Sequence, residues 1–305
     1  MRFPVLALAL IVAIPGCKQP APEGDGSQLR GPLVVFNAGS LAYPFRELLT
    51  AFTQEHPGVI PNQESSGSLE AARKLTELGK IPDVLAVADY GVIVKLLMPT
   101  YVTGYTGFAS NAMVLAYADR SAYSREINGD NWWRILLRPD VRWGHSNPAL
   151  DPNGYRALMV FQLAETYYRE PGLAQRLAGA VPSRFVRPSE AQLIGLLQAG
   201  ELDYAWSYRS LAASGGLRWV TFPREIDLSD SALAQTYAQA RVRLPGPKLG
   251  VTDSVEFRGE PIEYALTVPT GAPHPGIAEA FVRFVLSTRG REILTRAGFA
   301  VAQAR

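Results

Sequence analysis

Two short runs without a polar residue, LVVF at 33–36 and VLAVA at 84–88, set the tightest limit on what this chain can fold into. A strand that is apolar on both faces has to be covered on both, which is the condition of a parallel sheet sandwiched between helices. The residues between them fit that condition. Phe45, Leu48, Leu49 and Phe52 recur at i, i+3, i+4 and i+7, the stripe of an amphipathic helix that ends before His56-Pro57-Gly58. A strand is expected over 58–64. Leu69, Ala72, Leu75 and Leu78 then trace a second helical stripe, stopped by Gly79. The order is β-α-β-α-β.

AMVLAY at 112–117 reads as a strand leaving this unit, and the alternation restarts at Trp132–Leu137. It continues through the strand VRWGHS, a long helix over 153–168, a helix ending at Gly200, and the strand LDYAWS. Ser189 and Gln192 have the spacing of a capping box for the helix that ends at Gly200. Residues 227–242 are expected to be partly helical, and 244–258, rich in Pro and Gly, to be a surface passage without a regular element. IEYALTV at 262–268 returns as a strand before helices over 276–287 and 289–297. Two α/β lobes joined by two long connections imply a cleft between them. The expected division is lobe I over 32–113 plus 263–305 and lobe II over 114–262.

With 305 residues, 47% of them hydrophobic, the chain can bury a core in each lobe. Thirty basic residues stand against 28 acidic ones, scattered rather than in runs, so nothing suggests a nucleic-acid surface and any bound anion must be met by local dipoles. The first 16 residues combine one Arg, an apolar run over 5–14 too short to span a bilayer, and small residues, as an export signal does. The single cysteine, Cys17, follows Ile14-Pro15-Gly16 in the manner of a bacterial lipobox, which marks it for lipid attachment. One cysteine permits no internal disulfide. Residues 17–31 are polar and rich in Pro and Gly, a flexible tether from which the folded body would hang outside the cytoplasm, anchored to a membrane.

FNAGSLAYPF at 36–45 and SSGSLEAARKL at 65–75 each place Gly-Ser-Leu where a strand gives way to a helix. Such a junction exposes backbone N–H groups at the positive end of a helix dipole, and glycine lets a ligand come close. A serine there is also an ordinary N-cap, so Ser40 and Ser68 carry two readings. DPNGYRALM supplies a third junction: Asp151 suits an N-cap, Pro152 the first helical position, and Asn153 and Gly154 offer N–H groups. In DYAWSY, strand alternation sends Tyr204, Trp206 and Tyr208 to one face and Ala205 and Ser207 to the other.

These stretches, together with FASNAMVLAYA, GHSNPALDPNGYRALMVFQLAE and VRPSEAQLIGLLQAGELDYAWSYRSLA, closely resemble the tungstate/molybdate-binding proteins of tungstate-type ABC importers, in order from Leu33 to the end. The resemblance implies a type II periplasmic-binding-protein fold, two α/β lobes crossed twice by the chain. It implies a monomer closing on molybdate or tungstate as ligand, without a cofactor, and handing it to an ABC permease with separate ATPase subunits. By motif, the ligand-binding positions carry over to Ser40, Ser68, Asp151 and Tyr208. Family members place two carboxylates on the metal of the oxyanion; Asp151 matches one, whereas Ser207 stands where the second, a glutamate, is expected. The expectation is therefore a tetrahedral oxyanion held by Ser40, Ser68, Ser207, Tyr208 and backbone N–H groups, with Asp151 either ligating the metal or capping its helix.

His56, His145 and His274 lack the spacing of a metal site, and no Gly-x-Ser-x-Gly elbow or phosphate-binding P-loop is present. The expected class is a binding protein rather than an enzyme. A receptor for sulfate or phosphate, or a hydrolase using Ser40 or Ser68 as nucleophile, are the alternatives.

Overall fold

The computed structural model describes residues 29–247 and 252–301. The export signal, Cys17 and the tether up to residue 28 lie outside the described residues. The first half contains β1 (Arg30–Ala38), α1 (Ala42–Glu55), β2 (Gly58–Ser66), α2 (Ser68–Leu78), β3 (Val84–Val87), the short turn α3 (Tyr90–Val92) and β4 (Thr106–Ser110). The middle contains β5 (Met113–Tyr117), α4 (Trp132–Leu136), β6 (Trp143–Ser146), α5 (Pro152–Tyr168), α6 (Leu173–Ala180), β7 (Val186–Arg187), α7 (Glu190–Ala199), β8 (Tyr204–Tyr208), α8 (Arg209–Ser214) and β9 (Arg218–Thr221). Then come α9 (Ala234–Tyr237), β10 (Arg241–Pro245), β11 (Ser254–Arg258), β12 (Glu263–Thr267), α10 (Pro275–Leu286) and α11 (Thr288–Arg296).

Two five-stranded sheets result, ordered β2-β1-β3-β12-β4 and β7-β6-β8-β5-β9. β1 runs parallel to both β2 and β3, as the apolar runs require, and β12 returns antiparallel between β3 and β4. The chain passes to the second sheet between Ser110 and Met113, leaves it after Thr221, and rejoins the first at Glu263 after the separate β10–β11 pair. All of β3 is buried, and the α1 stripe packs through Phe45 and Phe52 onto Phe281 of α10, with ring centroids 6.1 and 5.3 Å apart. Each such side chain contributes roughly 1.5–3 kcal/mol by leaving water. In the second sheet the alternation of β8 separates two cores. Trp206 meets Phe161 and Phe222, each at 5.2 Å, while Ala205 on the other face joins Leu193 and Leu197 of α7.

Three expectations need correction. β1 begins at Arg30, paired with Gly58, so the last residues of the expected tether belong to the sheet. Residues 241–245 and 254–258 pair as an antiparallel ladder, β10 with β11, whose inward residues Leu244 and Phe257 are buried. Alternation was present there, but Pro and Gly between the strands obscured it. Ser189 makes no side-chain capping bond to α7. The Glu190 N–H donates instead to Asp151 Oδ2 at 2.8 Å, so this helix is capped from another segment of the chain.

The two lobes are closed on each other. Leu69 and Glu70, in the first turn of α2, donate their N–H groups to the Leu150 carbonyl at 3.0 and 3.2 Å. The Arg73 guanidinium donates to the carbonyls of Ala149, Pro245 (3.2 Å) and Gly246 (3.3 Å). Gly67 is what permits this approach, because a Cβ there would overlap the Leu150 carbonyl oxygen. No helix among the described residues is long and apolar enough to cross a membrane.

Candidate functional site between the lobes

The sharp turn after β1 is a single 3-10 turn, Gly39–Leu41, with all three residues buried. It holds Ser40 with its Oγ 3.0 Å from the Tyr264 hydroxyl of β12. Gly39 lies against α7 of the other lobe, with a Cβ position 3.7 Å from Ser189 and Ala191. Ser68, the first residue of α2, is fully buried and its Oγ accepts the Ala88 N–H at 3.0 Å, which leaves its own proton to donate. Both serines therefore sit at the carboxyl ends of parallel strands, where helix N-termini meet.

The other lobe brings its share to the same place. Gly154 is packed so closely on the Ser146 carbonyl at the end of β6 that a side chain would not fit, which brings the start of α5 onto the sheet edge. Asp151 is buried there and acts as a double cap: Oδ1 accepts from Asn153 N at 3.0 Å, Oδ2 from Glu190 N at 2.8 Å. Of the two roles expected for it, the structure displays the cap. The N–H groups expected to be open at this junction are likewise used, Asn153 by the Asp151 carboxylate and Gly154 by the Asp151 carbonyl at 3.0 Å. Burial lifts the Asp151 carboxyl to about 6, against the pull of the N–H groups of Glu190 and Asn153.

Tyr208 ends β8 with its hydroxyl inward. It accepts from Arg156 Nη1 at 2.9 Å, and its ring meets that of Tyr264 edge-on at 5.8 Å, one tyrosine from each sheet. Ser207 differs from expectation. Its Oγ donates to Glu190 Oε1 at 2.7 Å, and the Tyr208 N–H donates to the same oxygen at 2.6 Å, so this serine holds a glutamate. The structure thus gathers Ser40, Ser68, Asp151, Ser207 and Tyr208 into one buried region between the lobes, with Ser207 acting through its neighbour.

Four groups in this region were not singled out from the sequence. Arg156 is buried; its Nη1 donates to the Ala88 carbonyl at 2.7 Å and its Nη2 lies 3.1 Å from Asp89 Oδ2. Burial works against its charge, but the surrounding Tyr208 and Asp89 outweigh it and hold the guanidinium protonated. Its signal was available, since it is the only charged residue in the apolar run 154–164, and a buried cation must have partners. Asp89, which also accepts from Tyr155 and from Gly91 N at 2.8 Å, follows the VLAVA strand. Tyr264 was placed on a strand but not in a site. Glu190 resembles any acidic residue in a helix's first turn, and only the fold brings it inward.

Among the described residues no group of three or more His, Cys, Asp or Glu side chains could hold a metal ion. His145 is buried and its imidazole is pushed toward the neutral form by burial, with Nδ1 2.8 Å from the Ser146 carbonyl. The region is a set of hydroxyls, one guanidinium and three carboxyl groups, those of Asp89, Asp151 and Glu190, closed off by both lobes.

A family model described as bacterial extracellular solute-binding protein matches residues 33–300. An uncharacterized solute-binding protein of Petrotoga mobilis is 44% identical over 270 residues, covering 88% of this chain and 84% of that one. The molybdate/tungstate-binding protein WtpA of Pyrococcus abyssi is 36% identical over 315 residues, 95% of this chain and 90% of its own. Among solved structures, the periplasmic molybdate-binding protein of Azotobacter vinelandii has a TM-score of 0.61 at 16% identity, covering 89% of this chain and all 100% of that one. The sulfate-binding protein SubI of Mycobacterium tuberculosis has a TM-score of 0.65 at 16% identity, covering 90% and 88%. At that identity the two structures speak for the fold, the type II periplasmic-binding-protein fold expected from the sequence. The chain belongs to the bacterial extracellular solute-binding proteins, a family whose members hold a solute rather than transform it.

Proposed function

We propose that this protein captures molybdate or tungstate between its two lobes outside the cytoplasm and delivers it to an ABC permease with separate ATPase subunits. The observation that carries the reading is the convergence of the Ser40, Ser68 and Tyr208 hydroxyls, two from one lobe and one from the other, beside the buried guanidinium of Arg156. Uncharged donors with one cation suit a small dianion: the donors replace its hydration shell, and closing the lobes removes water. The relationship to WtpA supports the choice of ligand. In this reading the ligand is a tetrahedral oxyanion and Asp151, each of whose oxygens accepts one backbone N–H, serves as the cap of its helix.

The boundaries belonging to this reading are 32–113 plus 263–305 for lobe I and 114–262 for lobe II. It also takes the protein to be a monomer tethered through a lipid on Cys17. Calorimetric titration with molybdate, tungstate, sulfate and phosphate tests the ligand. Submicromolar binding of molybdate or tungstate is expected, and tight phosphate binding without either would refute the assignment. X-ray absorption at the metal edge of the loaded protein tests the geometry, and a six-coordinate metal would overturn the tetrahedral version.

A further inference from the structure

A serine hydroxyl has one proton, which it can turn toward a ligand or away from it, so its use to an anion depends on what stands behind it. For Ser68 the Ala88 N–H decides, because Oγ accepts it at 3.0 Å. Behind Ser40 stands Tyr264, whose hydroxyl lies 3.0 Å from Ser40 Oγ, and either proton could join that pair. The next residue along settles the direction. Asn111, in the connection from β4 to β5, is buried, and its Oδ1 accepts the backbone N–H groups of Ala112 at 3.0 Å and Ser210 at 3.3 Å. Two N–H donors on one side fix which end of the amide is oxygen. Its Nδ2 is thereby turned to Ser210 Oγ at 2.7 Å and to the Tyr264 hydroxyl oxygen at 3.5 Å, and an amide nitrogen can only donate.

We propose that Tyr264 and Asn111 are positioning residues that fix Ser40 as a donor: Asn111 Nδ2 donates to the Tyr264 oxygen, the Tyr264 O–H donates to Ser40 Oγ, and the Ser40 proton is left for the oxyanion. The inference rests on the oxyanion reading above and adds to it the source of Ser40's direction. A hydroxyl that already accepts on its oxygen is the stronger donor. Tyr264 keeps the proton it has to give, since burial, ahead of the neighbouring Tyr208 and Glu190, holds its hydroxyl well above the usual tyrosine range. Its ring is held in place, fully buried against Phe299 at 5.1 Å and Phe108 at 6.2 Å. Both serines of the first lobe are then set the same way, with a donor behind and a free proton ahead. The fold orders them before the ligand arrives, which lowers the cost of binding. Asn111 also ties β12 of the first sheet to α8 through Ser210, so the chain of bonds runs from a connection between the lobes to the ligand site.

The test is calorimetric titration with molybdate of the whole protein and of three variants, Tyr264→Phe, Asn111→Asp and the two combined. Tyr264→Phe keeps the ring and frees the Ser40 hydroxyl to turn, which should weaken binding by about three- to tenfold, the cost of ordering one side chain. Asn111→Asp puts an accepting oxygen where the amide donates, at nearly unchanged volume. Tyr264 then gives its proton to the carboxylate and claims that of Ser40, and binding should weaken by about 10- to 150-fold, the worth of one hydrogen bond to a charged acceptor. Adding Tyr264→Phe to Asn111→Asp removes the hydroxyl through which the reversal travels, so the double variant should bind at least about threefold more tightly than Asn111→Asp alone. Repulsion between the new carboxylate and the anion, or a purely structural fault, would persist in the double variant. Equal affinity of Tyr264→Phe and wild type, or no recovery in the double variant, overturns the inference and leaves the oxyanion reading standing. Should Asn111→Asp fail to fold, Tyr264→Phe measured with and without Ser40→Ala decides: an effect that vanishes without the Ser40 hydroxyl supports the inference, and an undiminished one refutes it. If the wild type binds none of molybdate, tungstate and sulfate, the oxyanion reading fails and takes this inference with it.

Discussion

Replacing Arg156 by glutamine should separate binding from folding. In the closed structure its guanidinium reaches across to the Ala88 carbonyl at 2.7 Å and Asp89 Oδ2 at 3.1 Å, with its side chain 4% exposed. Breaking a buried ion pair by removing one partner costs about 3–5 kcal/mol. Asp89 keeps its bonds from Tyr155 and Gly91, which favours the lower end, about 3 kcal/mol. Because Ala88 and Asp89 belong to the first sheet's lobe and Arg156 to the second's, this cost falls on the closed form. The dissociation constant for molybdate should rise by about 150-fold. The unliganded protein, with its lobes free to part, should change its Tm by less than about 2 °C. Calorimetry with Arg156→Gln, Asp89→Asn and the double variant supplies the check, since the guanidinium also attracts the anion directly. The pair should couple by at least about 1.5 kcal/mol in the cycle. Additive effects, or an Arg156→Gln affinity within threefold of wild type, would refute the idea that this pair holds the lobes together.

Gly67→Ala places a methyl group against the Leu150 carbonyl only when the lobes close, at a residue whose φ of −63° and ψ of 144° suit alanine. Affinity should fall by at least about tenfold, while the unliganded protein gains up to about 1 kcal/mol through its less flexible unfolded chain; equal affinity would mean closure does not need this contact. Ser68→Ala should weaken molybdate binding by about 10- to 150-fold, the worth of one hydrogen bond to a charged acceptor, as measured by calorimetry. Asp151→Ala should cost about 2 kcal/mol or more in urea unfolding through the loss of two caps, whereas Ser189→Ala, which has no capping bond to lose, should stay within about 0.5 kcal/mol. Folding raises the Asp151 carboxyl from 3.8 to about 6, so protonation favours the folded state. Its contribution, about 3 kcal/mol, is fully present below pH 4 and lost as pH rises through 6. Urea midpoints of the unliganded protein should therefore fall between pH 4.5 and 7, and Asp151→Asn should flatten that fall.

The residues that were legible in the sequence and those that were not differ in the range of the interaction that defines them. Ser40, Ser68 and Asp151 stand out because their surroundings are local: a strand, one or two small or turn-forming residues, then a helical stripe. The same locality made the β-α-β-α-β unit readable, down to the Gly79 stop, whose φ of 62° is the left-handed cap expected of a glycine there. What Ser207 does is different in kind. Its position on the strand followed from alternation, but its bond to Glu190 depends on α7 lying against the end of β8, and on Asp151 reaching from a third segment to cap α7. No period of 2 or 3.6 encodes that, and a glutamate in a helix's first turn is ordinarily a solvent-facing complement to the helix dipole. Arg156 lies between the two cases. Its helix was readable and its isolation among apolar neighbours marked it as buried, yet its partners Ala88 and Asp89 belong to the other lobe. The local half of a closing cleft is written in each lobe's own pattern; the half that comes into existence on closure is carried by residues whose partners lie far away along the chain. Arg156 is of that second kind, which is why the experiment that bears hardest on closure is aimed at it.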